Sequence, residues 1–248
     1  MNKYFKYSTV LLAVALMFNC EQDNDSNLSN FIGFEQGDLN HTIDEGQSKT
    51  IDITVATSET SSSDRVFDVI VDGSSTFDSP YTVPSTVTVP AGSNLGTLSI
   101  SATDDEDLAY NVKTLVLDFA PEAGINYGDA LTINLAQTCF ETLATLNLGF
   151  DDYAEECVWE LYDLTGTPTI IETGGSGGEY DDLDGSTFST NFCLSPGNYG
   201  IIVYDLYGDG GTSYTVTSNG EELASGDTPD QGSGYPVTTQ SISTFTIN

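Results

Sequence analysis

Lys49-Thr50-Ile51-Asp52-Ile53-Thr54-Val55-Ala56 alternates apolar and polar residues, with Ile51, Ile53 and Val55 on one face. Successive side chains of an extended chain point to opposite sides, so this spacing describes a strand with one buried face. The pattern returns outward along the chain: Phe67, Val69 and Val71; Val87 and Val89; Leu98 and Ile100; Leu115, Leu117 and Phe119; Leu131, Ile133 and Leu135. Asp72-Gly73, Ser79-Pro80, Pro90-Ala91-Gly92 and Ala123-Gly124 punctuate the runs as turns. No stretch holds a 3.6-residue apolar period over three turns, so helices are not expected.

With residues 31–34 this makes about seven short strands before residue 137, the pattern of an immunoglobulin-like β-sandwich. A second set begins near Cys139 with Leu146 and Leu148. Trp159 and Leu161 follow, then Phe188 and Phe192, then Tyr199, Ile201 and Val203, then Tyr214 and Val216. Ile242, Phe245 and Ile247 close it. About eight strands there suggest a second sandwich, jelly-roll-like. The expected fold class is all-β: two β-sandwich domains, at residues 31–137 and 138–248, with almost no linker. A chain of 248 residues suits two domains of about 110 residues each.

The chain has 5 Lys and Arg against 38 Asp and Glu, a formal charge of −33. Nucleic acid and anionic membrane faces need basic patches, so neither is an expected partner. His41 is the single histidine, which excludes His-rich metal centres and disfavours Ser-His-Asp or Cys-His catalysis. Hydrophobic content is 38%, yet 13 Tyr and 12 Phe supply enough bulk for packed cores.

Residues 1–19 read as a signal peptide: Lys3 and Lys6, then an apolar run over residues 10–18. That run is too short for a membrane span, which needs about 20 residues. Leu16-Met17-Phe18-Asn19-Cys20 resembles the relaxed lipobox of Bacteroidota lipoproteins, which implies cleavage before Cys20 and lipidation of it. Residues 20–30 open with Glu21-Gln22-Asp23-Asn24-Asp25, a polar acidic tether. The tether resembles the export signal to the outer face of the outer membrane. Loss of Lys3 and Lys6 leaves three of the five basic residues and a formal charge of −35.

The first sandwich carries Phe34-Glu35, Ile43-Asp44-Glu45-Gly46, Val87-Thr88-Val89-Pro90-Ala91-Gly92 and Asp104-Asp105-Glu106-Asp107, followed by a strand at residues 115–119. This layout resembles a Calx-β domain. Adjacent carboxylates repel, and a hard dication with six to eight oxygen ligands offsets that repulsion. The resemblance implies calcium between Glu35 and the cluster Asp104, Asp105 and Asp107. The chain departs from the family after the cluster, where Leu108-Ala109-Tyr110-Asn111-Val112-Lys113 stands instead of further acids. A solvated acidic turn is the plainer reading.

The second half carries Asp151-Asp152-Tyr153, Glu156-Cys157-Val158-Trp159-Glu160-Leu161, Cys193-Leu194-Ser195-Pro196-Gly197-Asn198-Tyr199 and Asp205-Leu206-Tyr207-Gly208-Asp209-Gly210. This succession resembles an accessory β module of secreted Bacteroidota proteins. Gly208 and Gly210 permit the positive φ that lets Asp205 and Asp209 converge. The result is an oxygen cage suited to structural calcium, with Asp151, Asp152 and Glu156 as partners. An Asp-Gly-rich turn without an ion is the alternative.

With Cys20 taken, Cys139, Cys157 and Cys193 remain. Cys157 shares the inward face of Trp159, while Cys193 opposes the inward parity of Phe188 and Phe192, so parity favours a Cys139–Cys193 disulfide. Trp159 fits core packing, or a sugar-stacking platform if it is exposed. The functional expectation is a surface-anchored, non-enzymatic lipoprotein with calcium-stabilised modules for adhesion, binding or spacing. The alternative is a carbohydrate-binding accessory lipoprotein of a glycan-uptake system. A glycosidase with paired carboxylates has no signature here. Expected partners are the outer membrane, through the Cys20 lipid, and a glycan or surface protein.

Overall fold

The structure is a computed structural model describing residues 30–105, 108–232 and 234–248. Cys20 and Asp107 lie outside the described residues, as do the signal peptide and most of the tether. The first half forms β1 (Phe31–Phe34), β2 (Leu39–Ile43), β3 (Ser48–Thr57), β4 (Arg65–Val71), β5 (Tyr81–Thr82), β6 (Thr86–Val89), β7 (Leu95–Thr103), β8 (Lys113–Phe119), β9 (Asn126–Tyr127) and β10 (Leu131–Gln137). The second forms β11 (Thr142–Gly149), β12 (Cys157–Asp163), β13 (Thr169–Gly174), β14 (Thr187–Leu194), β15 (Gly197–Asp205), β16 (Ser213–Ser218), β17 (Glu221–Asp227) and β18 (Thr239–Ile247). A one-turn 3₁₀ helix at Ala154–Glu156 precedes β12. Among the described residues no helix is long and apolar enough to cross a membrane.

The fold is all-β. Two five-stranded sheets, β5-β7-β3-β1-β9 and β2-β10-β8-β4-β6, close over Ile32, Ile53, Ile100, Leu115, Leu117 and Ile133. Two four-stranded sheets, β14-β11-β16-β17 and β13-β12-β15-β18, close over Leu146, Trp159, Leu161, Ile201, Val203 and Val216. Alternation explains both cores: β3 buries Ile51, Ile53 and Val55 in turn, and β15 buries Tyr199, Ile201 and Val203. The first half has three strands beyond the seven that alternation marks. β5 and β9 hold two residues each, too few to show a period, and β2 buries only Ile43 at its end. Ile242 shares a run with Phe245 and Ile247 but has the opposite parity, and it is 57% exposed.

Side-chain hydrogen bonds tie the halves together. Asn111, between β7 and β8, donates from Nδ2 to Thr190 Oγ1 (3.0 Å) and accepts at Oδ1 from the Asn191 amide (2.9 Å). Asn191 Nδ2 donates in turn to the Tyr110 carbonyl at 3.2 Å. Within the second half, a Cys139–Cys193 disulfide pins the start of that half to β14.

Candidate metal centre

The register of β12 against β15 pairs Cys157 with Asp205, and the Leu206 amide donates to the Glu156 carbonyl at 2.9 Å. Glu156, just before one strand, is thereby set beside Asp205, at the end of the other. The loop after β15 then folds back on Asp205, which is 2% exposed. Its Oδ1 accepts from the amides of Tyr207 (2.9 Å) and Gly208 (2.7 Å), and its Oδ2 from that of Gly210 (2.6 Å). A carboxylate offers about four lone-pair sites, so three are spent on the loop's own backbone. Gly208 has φ +91°, and a Cβ there would collide with the Val237 carbonyl, so only glycine closes the loop.

That closure brings Asp209 inward. Its Oδ1 is shut off from solvent and has no hydrogen-bond partner. Ligand atoms of Glu156, Asp205 and Asp209 all lie within 4.8 Å of one another, the sole such group of three among the described residues. Burial pushes the Glu156 carboxyl up to about 7, and the charges of Asp209 and Asp205 add to the effect. Charge on Glu156 is therefore disfavoured beside the other two carboxylates, and a hard dication bound among them would offset that.

The other expected ligands stand differently. Asp151 is outside the convergent group: its Oδ1 caps the Tyr153 amide at 2.9 Å, and its carboxyl packs where a Gly211 Cβ would stand. Asp152 is exposed to solvent. The residue that holds the Glu156 turn is Asp184, whose Oδ1 accepts from the Ala154 amide at 3.1 Å. The Gly-rich stretch around it shows no period, and its one cue is the aspartate before Gly185.

In the first sandwich, Glu35 and Asp104 cannot share an ion. The Glu35 amide bonds the Thr54 carbonyl and the Asp104 amide bonds the Gln47 carbonyl, at opposite ends of β3. Seven residues of strand separate these anchor points, roughly 23 Å at the usual rise. Asp104 instead closes the turn at residues 44–47, accepting at Oδ2 from the Gly46 amide (2.7 Å). Asp105 is half-buried nearby. Lys113 pairs with Asp78 at 3.7 Å.

Trp159 is not a stacking platform. It is 3% exposed, and its Nε1 donates to the Tyr180 hydroxyl at 2.8 Å. Phe192 packs edge-on against it, with ring centroids 5.6 Å apart. An exposed aromatic lies at the loop itself: Tyr207 is 40% exposed and stacks on the half-buried Tyr235 with centroids 5.2 Å apart. Burial pushes the Cys157 thiol up to about 12, which leaves it inert as a nucleophile at neutral pH.

No family model matches the chain. No curated protein matches it either. Solved structures share an arrangement of strands at low likeness. A protein of unknown function from Bacteroides ovatus is 12% identical over 80% of this chain and 74% of its own, with a TM-score of 0.40. An auxiliary nutrient binding protein from Bacteroides thetaiotaomicron is 11% identical over 85% and 91%, with a TM-score of 0.35. The calcium binding domain CBD12 of CALX1.1 is 11% identical over 75% and 80%, with a TM-score of 0.35. Likeness of this order carries no functional argument.

Proposed function

We propose that the chain is a surface-anchored, non-enzymatic binding lipoprotein, held to the outer membrane through Cys20 and facing the cell exterior. Its second sandwich is made rigid by calcium at Glu156, Asp205 and Asp209. The first sandwich, residues 31–137, serves as a spacer or binding module. The observation that carries the calcium reading is the convergence of the three carboxylates, with Asp209 Oδ1 buried and unpartnered. Asp205, braced by three amides, fits a cation site better than general acid–base work, which needs a free acid and a free base across a bound substrate.

Thermal melts of the full chain in EGTA and in millimolar calcium test this reading. A bound ion raises the stability of the folded state by mass action. The melting temperature rises with calcium in the native chain and stays put in Asp209→Asn. Identical melts of the native chain in both buffers remove calcium from the account.

A glycan as the bound partner is favoured by one specific observation. Tyr153, Leu206, Tyr207 and Val237 are each at least 40% exposed on the segments that carry or cover the carboxylates. Exposed aromatics beside a cation suit the apolar face and hydroxyls of a sugar. A glycan array probed with and without calcium tests it, and an array without hits in either buffer sinks it.

A further inference from the structure

A concave site lies away from the carboxylate loop, where the two halves meet. It is a cleft of about 670 Å³. The first half contributes Glu45, Asp104 and Asp105, and the second contributes Glu172 and Glu179. None of the lining residues is Lys, Arg or His. Part of the wall is apolar, supplied by Ile171 and Phe188.

Asp104 makes this more than an acidic surface. It is 6% exposed, one oxygen is held by the Gly46 amide, and Oδ1 is closed off without any hydrogen-bond partner. A buried carboxylate oxygen left unpaired is costly, and a cation brought to the adjoining wall offsets that cost. Tyr110 marks where the acids focus. Glu45 and Asp104 from the first half and Glu172 from the second line the same cleft as Tyr110, and burial, with their charges adding, holds its phenol above the usual range. The Asn111 and Asn191 bonds beside it fix the two walls against each other.

The geometry also separates a compact ion from an extended one. Among the described residues no three cleft acids bring ligand atoms within 4.8 Å of one another, in contrast to Glu156, Asp205 and Asp209. Carboxylates spread around an opening with an apolar wall suit a cation with several donors and a hydrocarbon stem. We propose that the cleft between the two sandwiches binds an organic cation, through an ammonium or guanidinium group that faces Glu45, Asp104 and Glu172. Tyr110 accepts from the same group, and Ile171 packs on the stem.

The test is calorimetric titration of the full chain in an Asp209→Asn background, which silences the calcium loop. Spermidine represents a free polyamine, and N-acetylarginine amide represents the side chain of a peptide. Either probe is expected to bind with one-to-one saturation at about 0.15 M salt, where diffuse surface attraction is screened. The tighter of the two identifies the source of the cation. Asp104→Asn weakens binding about tenfold, and the exposed Glu172→Gln weakens it severalfold. Glu221→Gln with Glu222→Gln, on β17, leaves it unchanged. Should Asp104→Asn fail to fold, as read by far-ultraviolet circular dichroism, the solvent-facing Glu172→Gln still decides the matter. Three results overturn the proposal: neither probe saturates; the β17 pair weakens binding as much as the cleft variants do; or calcium binds in this background and is lost with Glu172→Gln, which makes the cleft a metal site. Failure here leaves the carboxylate loop untouched, because the calcium melts read that loop in the native chain.

Discussion

Asp104 follows β7 and Asp205 ends β15; both are nearly closed from water, at 6% and 2% exposure, and both accept backbone amides. They differ in where the amides come from. Asp205 takes three from the five residues that follow it, so its loop is wound around it before any ligand arrives. Asp104 takes one from Gly46, a turn 58 residues away in sequence, and keeps one oxygen unmet. An aspartate that organises its own loop supplies a preformed site. One that clamps a distant turn leaves its remaining demand to whatever lies across the cleft. The carboxylate loop therefore belongs to the second sandwich alone, whereas the cleft exists only while both halves are in place.

The largest effect that would sharpen this contrast comes from the disulfide. Cys139 and Cys193 are 54 residues apart, and opening a loop of that size costs about 4 kcal/mol by chain entropy. Trp159 is the single tryptophan and sits in the second core, so its fluorescence follows that sandwich alone. Guanidinium unfolding of Cys139→Ser with Cys193→Ser is expected to move the tryptophan transition to lower denaturant. A far-ultraviolet circular dichroism component from the first sandwich stays in place. If both signals move together, the halves unfold as one unit and the contrast fails.

Next in size are the two aspartates themselves. Asp205→Ala strands three amides, two of them in buried hydrogen bonds, and is expected to cost about 3 kcal/mol, together with the calcium response. Asp104→Ala strands one amide but removes an unmet carboxylate oxygen, so its cost is expected to stay near 1 kcal/mol or below. Equilibrium unfolding of the two variants, in EGTA, reads the difference directly. Equal costs would mean that the brace at Asp205 is no stronger than the clamp at Asp104.

These two sites also show what the chain discloses before any coordinates. Alternation in residues 49–56 or 199–203 is legible because each strand buries one face over several residues. β5 and β9 are not legible, because two residues carry no period. Asp205 and Asp209 can be singled out because the glycines between and after them announce a turn. Glu156 is legible as a partner only by its place before an alternating run, and the register of β12 on β15 is what brings it in. Glu35 looks equally well placed beside a strand, yet β3 carries it to the far end from Asp104. Distance along a strand is invisible until the pairing is known. Trp159 is ambiguous for a similar reason: its parity says inward, but the hydroxyl that satisfies its Nε1 belongs to Tyr180, 21 residues on in an aperiodic loop.

A smaller effect separates the loop from the rest by pH. Glu156 titrates near its ordinary 4.5 when unfolded and about 7 when folded, because burial and then Asp209 and Asp205 disfavour its charge. The folded state thus binds the extra proton between those values. Stability in EGTA is complete below about 4.5 and declines as pH rises through 7. Solvent reaches part of the carboxyl, so the decline is on the order of 1 kcal/mol. Urea midpoints across this range are expected to fall in EGTA, to flatten in Glu156→Gln, and to rise with pH in calcium, which binds the ionised form. A native chain whose midpoints ignore pH in EGTA would show that the three carboxylates do not feel one another.

The smallest expected signal is kinetic and belongs to Cys157, next in sequence to Glu156. Its thiol is fully buried on the inward face of β12, and burial pushes it up to about 12, so almost no thiolate exists at pH 8 in the folded state. In a Cys20→Ser background, Cys157 is the one cysteine outside the disulfide. A disulfide-exchange reagent is expected to label it only when the carboxylate end of the second sandwich opens, so the labelling rate reports that opening. Calcium closes the same end through Glu156 and Asp205 and slows the labelling, while an organic cation in the cleft leaves it unchanged. Fast labelling indifferent to calcium would mean that β12 opens without disturbing the loop, and the preformed character assigned to Asp205 would then extend no further than its own turn.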